Sequence, residues 1–284
     1  MEIIACVKQV PDVDEVQIDP KSNKLLREGV PSILNPFDKF VVEEAIRLKE
    51  KHKGMVTVLT MGPPKAADVL NTCFAMGVDK GYLLSDPALA GSDTLATALT
   101  LSSFIKKLQY DLVLCGLEST DSSTGQVGPE LAEKLDIPQI TCVSKIDLTP
   151  DTKKGLFTQE TETGYRCIEG NLPLLITLVK GINIPREPDS TFVKGKRIEK
   201  ISLKDIGIES NKVGINGSPT YVKKINRSKP HYRQNMMIRY NIPAHDRIKQ
   251  IMRGGIADKL NSSKVEDSSD DILNRACDFI LHTM

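Results

Sequence analysis

Over its first 143 residues the chain alternates short apolar runs with longer segments of helical period, and no other feature restricts the fold as much. The runs at 3–7, 55–61, 82–84, 112–115 and 140–143 are nearly continuous in apolar residues. Such runs suit strands buried on both faces, as in a parallel sheet covered by helices on each side. Between them, Phe37, Val41, Ala45 and Leu48 share one face of a predicted helix that runs to about residue 51. Residues 66–76 predict a second helix, ended by Gly77. A third covers 93–108, with Asp93 or Ser92 as its N-cap, and a fourth covers 126–135. Strand–helix alternation of this kind predicts an α/β fold.

After Ser144 the pattern changes. Segments 145–148, 156–161, 165–169 and 174–178 read as strands joined by polar turns, and they predict a small antiparallel addition at the sheet edge. From about Ile182 periodicity fades, and the Pro-containing stretch 183–189 reads as extended. Segment 193–204 is basic, and so is 230–264, which carries His231, Arg233, Arg239, Arg247 and Arg253 and one short helix near 246–252. A last helix is predicted at 270–281. The organisation expected is an α/β domain over 1–222 and an extension over 223–284 that packs on a partner.

Composition narrows the function classes. A net charge of +1 supplies no field for nucleic acid or acidic membrane, and aromatics at 5% with no Trp offer little stacking surface. No apolar run approaches the length of a membrane span. The six cysteines are scattered without a C-x-x-C pair, as expected of reduced, mostly buried thiols in a cytoplasmic protein. The glycine fingerprints of P-loops and dinucleotide-binding folds are absent, as are H-E-x-x-H and G-x-S-x-G. The histidines at 52, 231, 245 and 282 lie in polar segments or near the end of the chain, so no catalytic residue is assigned. Any chemistry would belong to a bound cofactor.

Several loops at predicted strand ends suit a ligand. They begin at Cys6, at Asn35-Pro36-Phe37-Asp38, at Met61 and at Asp93-Thr94, and the longest is the hydroxyl-rich loop 116–128 before the fourth helix. Each alone reads equally as a cap or a turn. Together they would converge on the carboxyl edge of a parallel sheet, where ligands bind.

In this order the loops resemble the β subunits of electron transfer flavoproteins. The resemblance rests on Cys6-Val7-Lys8-x-Val10, Asn35-Pro36-Phe37, the helix 42–50, Ala75-Met76-Gly77, Thr124-Gly125-Gln126, Leu172-Pro173, Pro185-Arg186 and Gly217-Ser218-Pro219-Thr220. It implies a three-layer α/β/α fold of adenine-nucleotide-hydrolase-like type, paired with an α subunit. The family's ordinary carriers hold a structural AMP in this subunit, while its bifurcating members hold FAD that takes hydride from NADH. The tract 90–97, the sequence 126–130 and the shortness of the hydroxyl loop resemble the bifurcating members. FAD is therefore expected, with AMP as the alternative. Ferredoxin and a flavin-dependent dehydrogenase of acyl-CoA or lactate type are the implied electron acceptors. A nucleotide-binding regulatory module remains the alternative from another class.

The resemblance also implies residue roles. Cys6, Asn35, Pro36, Phe37 and Asp38 would meet the adenosine end, and Met61 would line the pocket. Asp93, Thr94 and Thr97 would lie towards the flavin or its diphosphate. Ser119, Thr120, Asp121, Ser122, Ser123, Thr124, Gly125, Gln126 and Val127 would wrap the nucleotide, with the amides of 125–127 on phosphate oxygens. Asp121 itself would meet a hydroxyl or water rather than a phosphate. Ile182, Asn183, Ile184, Pro185 and Arg186 match the family's partner-docking loop, with Ile182 as the apolar anchor, although Ile184 replaces the usual acidic residue.

Overall fold

A computed structural model of the chain describes residues 1–12, 31–149, 153–223 and 241–252. The chain separates into two units, Met1–Arg227 and Ser228–Met284. In the first, strand β1 (Glu2–Cys6) is followed by a short ribbon of β2 (Gln9–Pro11) and β3 (Ser32–Leu34), then helix α1 (Pro36–His52). Next come β4 (Met55–Met61), α2 (Ala67–Met76), β5 (Lys80–Leu84), α3 (Thr94–Ile105), β6 (Leu112–Gly116) and α4 (Val127–Leu135). The long strands β7 (Gln139–Thr149), β8 (Lys154–Thr161) and β9 (Gly164–Asn171) lead into β10 (Leu174–Leu178). The unit closes with β11 (Ile198–Ile201) and two single-turn helices, α5 (Leu203–Ile206) and α6 (Gly214–Gly217).

The main sheet has the order β11-β5-β4-β1-β6-β10-β7-β8-β9. Every pairing from β11 to β7 is parallel, and β8 and β9 continue it antiparallel. Strand residues alternate between two separate apolar layers. Ile3, Ala5, Val56, Val58, Leu112 and Leu114 pack beneath α1 and α2 with Val41, Ala45, Leu70 and Phe74. Ile4, Leu59, Val113 and Leu175 pack on the opposite face with Ala98, Leu101, Leu131 and Leu135 of α3 and α4. This is the expected three-layer α/β arrangement.

Local signals behave as expected where short-range chemistry decides. Gly77 takes a left-handed φ of 112° and ends α2. Asp93 caps α3, accepting from the Ala96 N–H at 3.0 Å. Three readings need correction. Segment 174–178 does not belong to the antiparallel edge: β10 lies in the parallel core between β6 and β7, because all five of its residues are apolar enough, or satisfied enough, to be buried on both faces. Segment 193–204 is not merely basic, since β11 pairs with β5 there. An edge strand buries little, and Glu199 and Lys200 keep it soluble, which hides it from an apolar pattern. Cys167, on β9, is exposed rather than buried.

In the second unit, α7 (Ala244–Met252) covers the short helix expected at 246–252. The predicted final helix at 270–281 and the rest of the basic stretch lie outside the described residues. Among the described residues, no helix is long and apolar enough to cross a membrane.

Candidate functional site

The chain leaves β1 towards β4 and β5 on one side and later adds β6 and β10 on the other. The gap between the carboxyl ends of β1 and β6 is thus a topological switch point, the place where α/β sheets hold ligands. Cys6 and Cys115 are register partners at the floor of this gap. The neighbouring Cys6 side chain, together with burial, holds the Cys115 thiol well above its usual pKa.

Three loops are tied together around the gap by two side chains. Asn35 does not cap α1 with its side chain. Its amide donates instead to Glu118 O at 2.9 Å and to Asp38 Oδ1 at 3.0 Å, and its Oδ1 accepts from the Thr120 N–H at 3.3 Å. Asp38 Oδ2 accepts from the Lys8 N–H at 2.7 Å. The carboxyl is buried, and loss of water raises its pKa to about 7 against the pull of the Lys8 and Asn35 hydrogen bonds. Gly116 is required at the end of β6, because a Cβ there would strike Asp38 Oδ1 and Phe37 Cβ. The ring of Phe37 carries Lys180 Nζ 4.4 Å from its centroid.

The hydroxyl loop folds on itself. Ser119 O accepts from the N–H groups of Ser122 and Ser123 at 3.3 and 2.8 Å, and the two seryl oxygens of Ser119 and Ser122 lie 2.8 Å apart. Ser123 and Gly125 both take positive φ, 47° and 64°. The turn leaves Ser122, Ser123, Thr124 and Gln126 exposed around the amino end of α4. No side chain caps that end, since Gln126 Nε2 turns back to Thr124 O at 3.3 Å. At the tip, Lys8 Nζ meets Asp121 Oδ1 at 2.6 Å and Ser119 Oγ at 3.2 Å. Lys8 and Glu118 were not singled out as site residues from the sequence, although Lys8 lies within the motif Cys6-Val7-Lys8-x-Val10.

The amino ends of α3 and α4 meet beside the loop. Thr94 Oγ1 donates to Glu130 Oε1 at 3.0 Å, and Glu130 Oε2 is buried without a partner. Asp93 is differently occupied. Besides capping α3, its Oδ2 accepts from Thr220 N–H and Oγ1 at 3.0 and 2.8 Å, and its own N–H donates to Ser218 Oγ at 2.8 Å. Its carboxylate therefore fastens the segment 218–220 to the start of α3. Thr97 is half-buried on the first turns of α3, and Met61 is half-buried at the end of β4. Asn35, Asp38, Ser119, Thr120 and Asp121 are joined in one network with Lys8, and Met61 and Thr97 lie outside that network.

A family model described as "Electron transfer flavoprotein domain" matches residues 22–206, the last of which ends α5. The chain is 47% identical over 229 residues to the electron transfer flavoprotein subunit beta of Thermoanaerobacterium thermosaccharolyticum, covering 78% of this chain and 86% of that protein. The chain belongs to the electron transfer flavoprotein β-subunit family. It is also 44% identical over 227 residues to the caffeyl-CoA reductase-Etf complex subunit CarD of Acetobacterium woodii, covering 78% of this chain and 86% of that one. Identity to the FixA protein of Azotobacter vinelandii is 39% over 247 residues, covering 84% and 88%.

In this electron transfer flavoprotein chain, residues 182–186 stand apart from the crevice and pack along α1. Asn183 is buried and donates to Phe40 O at 3.0 Å and Glu44 Oε2 at 2.9 Å. Burial raises the pKa of Glu44, and the Asn183 hydrogen bond opposes that rise. Arg186 clasps Glu43 and Glu50 of the same helix. Ile182 is half-buried against the core layer of α1, while Ile184 is 89% exposed. Of these two apolar side chains, Ile184 therefore faces solvent and Ile182 packs inward. Two cavities lie elsewhere. One of about 220 Å³ lies beside Lys49, Asp79 and Arg186, and one of about 290 Å³ lies among Glu2, Lys80, Tyr82 and Lys107.

Proposed function

We propose that this chain is the β subunit of a heterodimeric, electron-bifurcating electron transfer flavoprotein and that its crevice between β1 and β6 holds FAD. FAD, when bound, supplies hydride acceptance from NADH and single-electron delivery towards ferredoxin and towards a flavin-dependent dehydrogenase of acyl-CoA or lactate type. The observation that carries this reading is the constellation at the two helix starts: an uncapped α4 amino end, a rim of exposed hydroxyls, and Glu130 Oε2 buried without a donor next to Thr94. A dinucleotide with diphosphate oxygens and sugar hydroxyls satisfies both kinds of group at once. Phosphate oxygens suit the N–H groups of 125–128, and a ligand hydroxyl suits Glu130.

The residues of the chain would divide the work. Asn35 and Asp38 hold the three loops at fixed separation, so the site is preorganised. Thr94 and Glu130 orient the ligand by hydroxyl contacts. The Cys115 thiol, held well above its usual pKa, keeps charge away from the ligand's underside. Ile184 would dock into the dehydrogenase, with Arg186 and Asn183 positioning the strap that carries it. The relative from Acetobacterium woodii, described as part of a reductase–Etf complex, supports such a partnership. On this reading the protein works in the cytoplasm.

The test is the nucleotide released on denaturing the purified heterodimer. Two FAD per heterodimer is the expected result. One FAD with one AMP removes bifurcation and leaves an ordinary carrier. A colourless complex that releases only an adenine nucleotide indicates a regulatory module instead.

A further inference from the structure

Lys8 and Asp121 close the mouth of the crevice from opposite sides of the switch point. Lys8 follows β1, and Asp121 lies at the tip of the loop after β6, 113 residues later. Their charged atoms meet at 2.6 Å, with the Lys8 side chain 43% exposed and that of Asp121 15% exposed. The two ends of Lys8 are held differently. Its main chain is pinned by the buried Asp38, whereas its four-carbon stem reaches through solvent and can take another acceptor within its sweep. The setting around Asp121 suits anions: the Lys8 ammonium, which also donates to Ser119 Oγ, the seryl hydroxyls at 119 and 122, and the uncapped amino end of α4 that follows the loop. A carboxylate in such a setting occupies a place where a phosphate would be welcome.

We propose that Asp121 is a built-in stand-in for a ligand phosphate. In the nucleotide-free chain it satisfies Lys8, and an adenine nucleotide binds by exchanging its phosphate for the Asp121 carboxylate on Lys8. This rests on the nucleotide reading above and adds a selection rule to it. The gain from a phosphate at Lys8 is reduced by the ion pair it breaks and by the like charge left on Asp121. Ligands lacking phosphate do not disturb the pair. Asp121 is therefore a specificity residue that weakens binding of a phosphate ligand in proportion to its charge, and Lys8 is the residue through which it acts.

Calorimetric titration of the full-length chain, co-purified with its α subunit and dialysed free of nucleotide, tests this with AMP and adenosine as probes. Asp121→Asn is expected to tighten AMP about tenfold, the worth of one charge-assisted hydrogen bond, and to leave adenosine unchanged. Asp121→Ser, matching the neighbouring serines, gives the same result if Asn disturbs the turn. Lys8→Gln weakens AMP about tenfold, Lys8→Arg retains AMP binding, and the Lys8→Gln/Asp121→Asn pair binds AMP no better than Lys8→Gln alone. An Asp121→Asn protein with unchanged AMP affinity, or with AMP and adenosine shifted equally, overturns the exchange while leaving nucleotide binding intact. Wild-type protein that binds neither probe removes the nucleotide reading and the exchange with it.

Discussion

Arg186 grips Glu43 with both its side chain and its backbone. Nε donates to Oε2 at 2.8 Å, Nη2 to Oε1 at 3.2 Å, and the Arg186 N–H to the same Oε2 at 3.1 Å. Nη1 and Nη2 continue to Glu50 at 2.8 and 3.2 Å. The two carboxylates, Glu50 first, hold the guanidinium well above its usual pKa. An acidic pair on α1 that looks like an ordinary solvated face is thereby roofed by the strap.

Arg186→Ala leaves Glu43, whose side chain is 6% exposed, with the longer 3.9 Å contact to Arg47. The expected loss of stability is about 2 kcal/mol, below that for a fully buried pair because Arg186 is one-third exposed. Arg186→Lys recovers only part, since an ammonium cannot span both carboxylates in one plane. Urea unfolding measures the loss, and limited proteolysis at 181–189 shows whether the strap has lifted.

Asp38 makes stability depend on pH in an unusual direction. Its carboxyl titrates near 3.8 when unfolded and at about 7 when folded. Between those values the folded chain holds a proton that the unfolded chain has released, so stability falls as pH rises and the full loss is reached above about 7. The rise corresponds to at most about 4 kcal/mol. The measurement is the wild-type minus Asp38→Asn difference in unfolding free energy from pH 4 to 8, which removes contributions from other groups. A difference that stays flat across that window contradicts the burial assigned here.

Gly116→Ala drives a methyl group into Asp38 and Phe37. Overpacking of this kind costs about 1–3 kcal/mol. Because Asp38 holds Lys8 and Asn35 holds Glu118, the strain should reach the hydroxyl loop, and retained nucleotide per chain is expected to fall more than unfolding stability alone explains. Equal retention by wild type and variant after gel filtration would refute that linkage.

Ile184→Glu leaves an exposed position exposed, so unfolding should change by no more than about 0.5 kcal/mol. Electron delivery to the partner dehydrogenase is expected to weaken through a raised KM for the flavoprotein, with kcat preserved. Ile182→Ala should show the converse pattern, a stability loss of about 1 kcal/mol or more with smaller kinetic effect, because its side chain packs against the core.

Features encoded by short-range chemistry could be read directly along the chain. The run 55–61 became β4 with those bounds, Asp93 became the cap of α3, and Gly77 ended α2. Those outcomes depend on neighbours within a turn of helix or a strand's own pattern, so they are legible in a window of residues. The crevice too was legible as a set of loops, because a parallel sheet sends every strand's carboxyl end to one edge. Which of those loops touch depends on how the sheet is wound. That winding returned β10 to the sheet centre, recruited β11 at the edge, turned Asp93 towards Thr220, left Ile184 exposed, and set Lys8 against Asp121 across 113 residues and Arg186 against Glu43 across 143. Pairings at such separations depend on how the sheet is wound, and a charged residue carries no local mark of the partner it will meet.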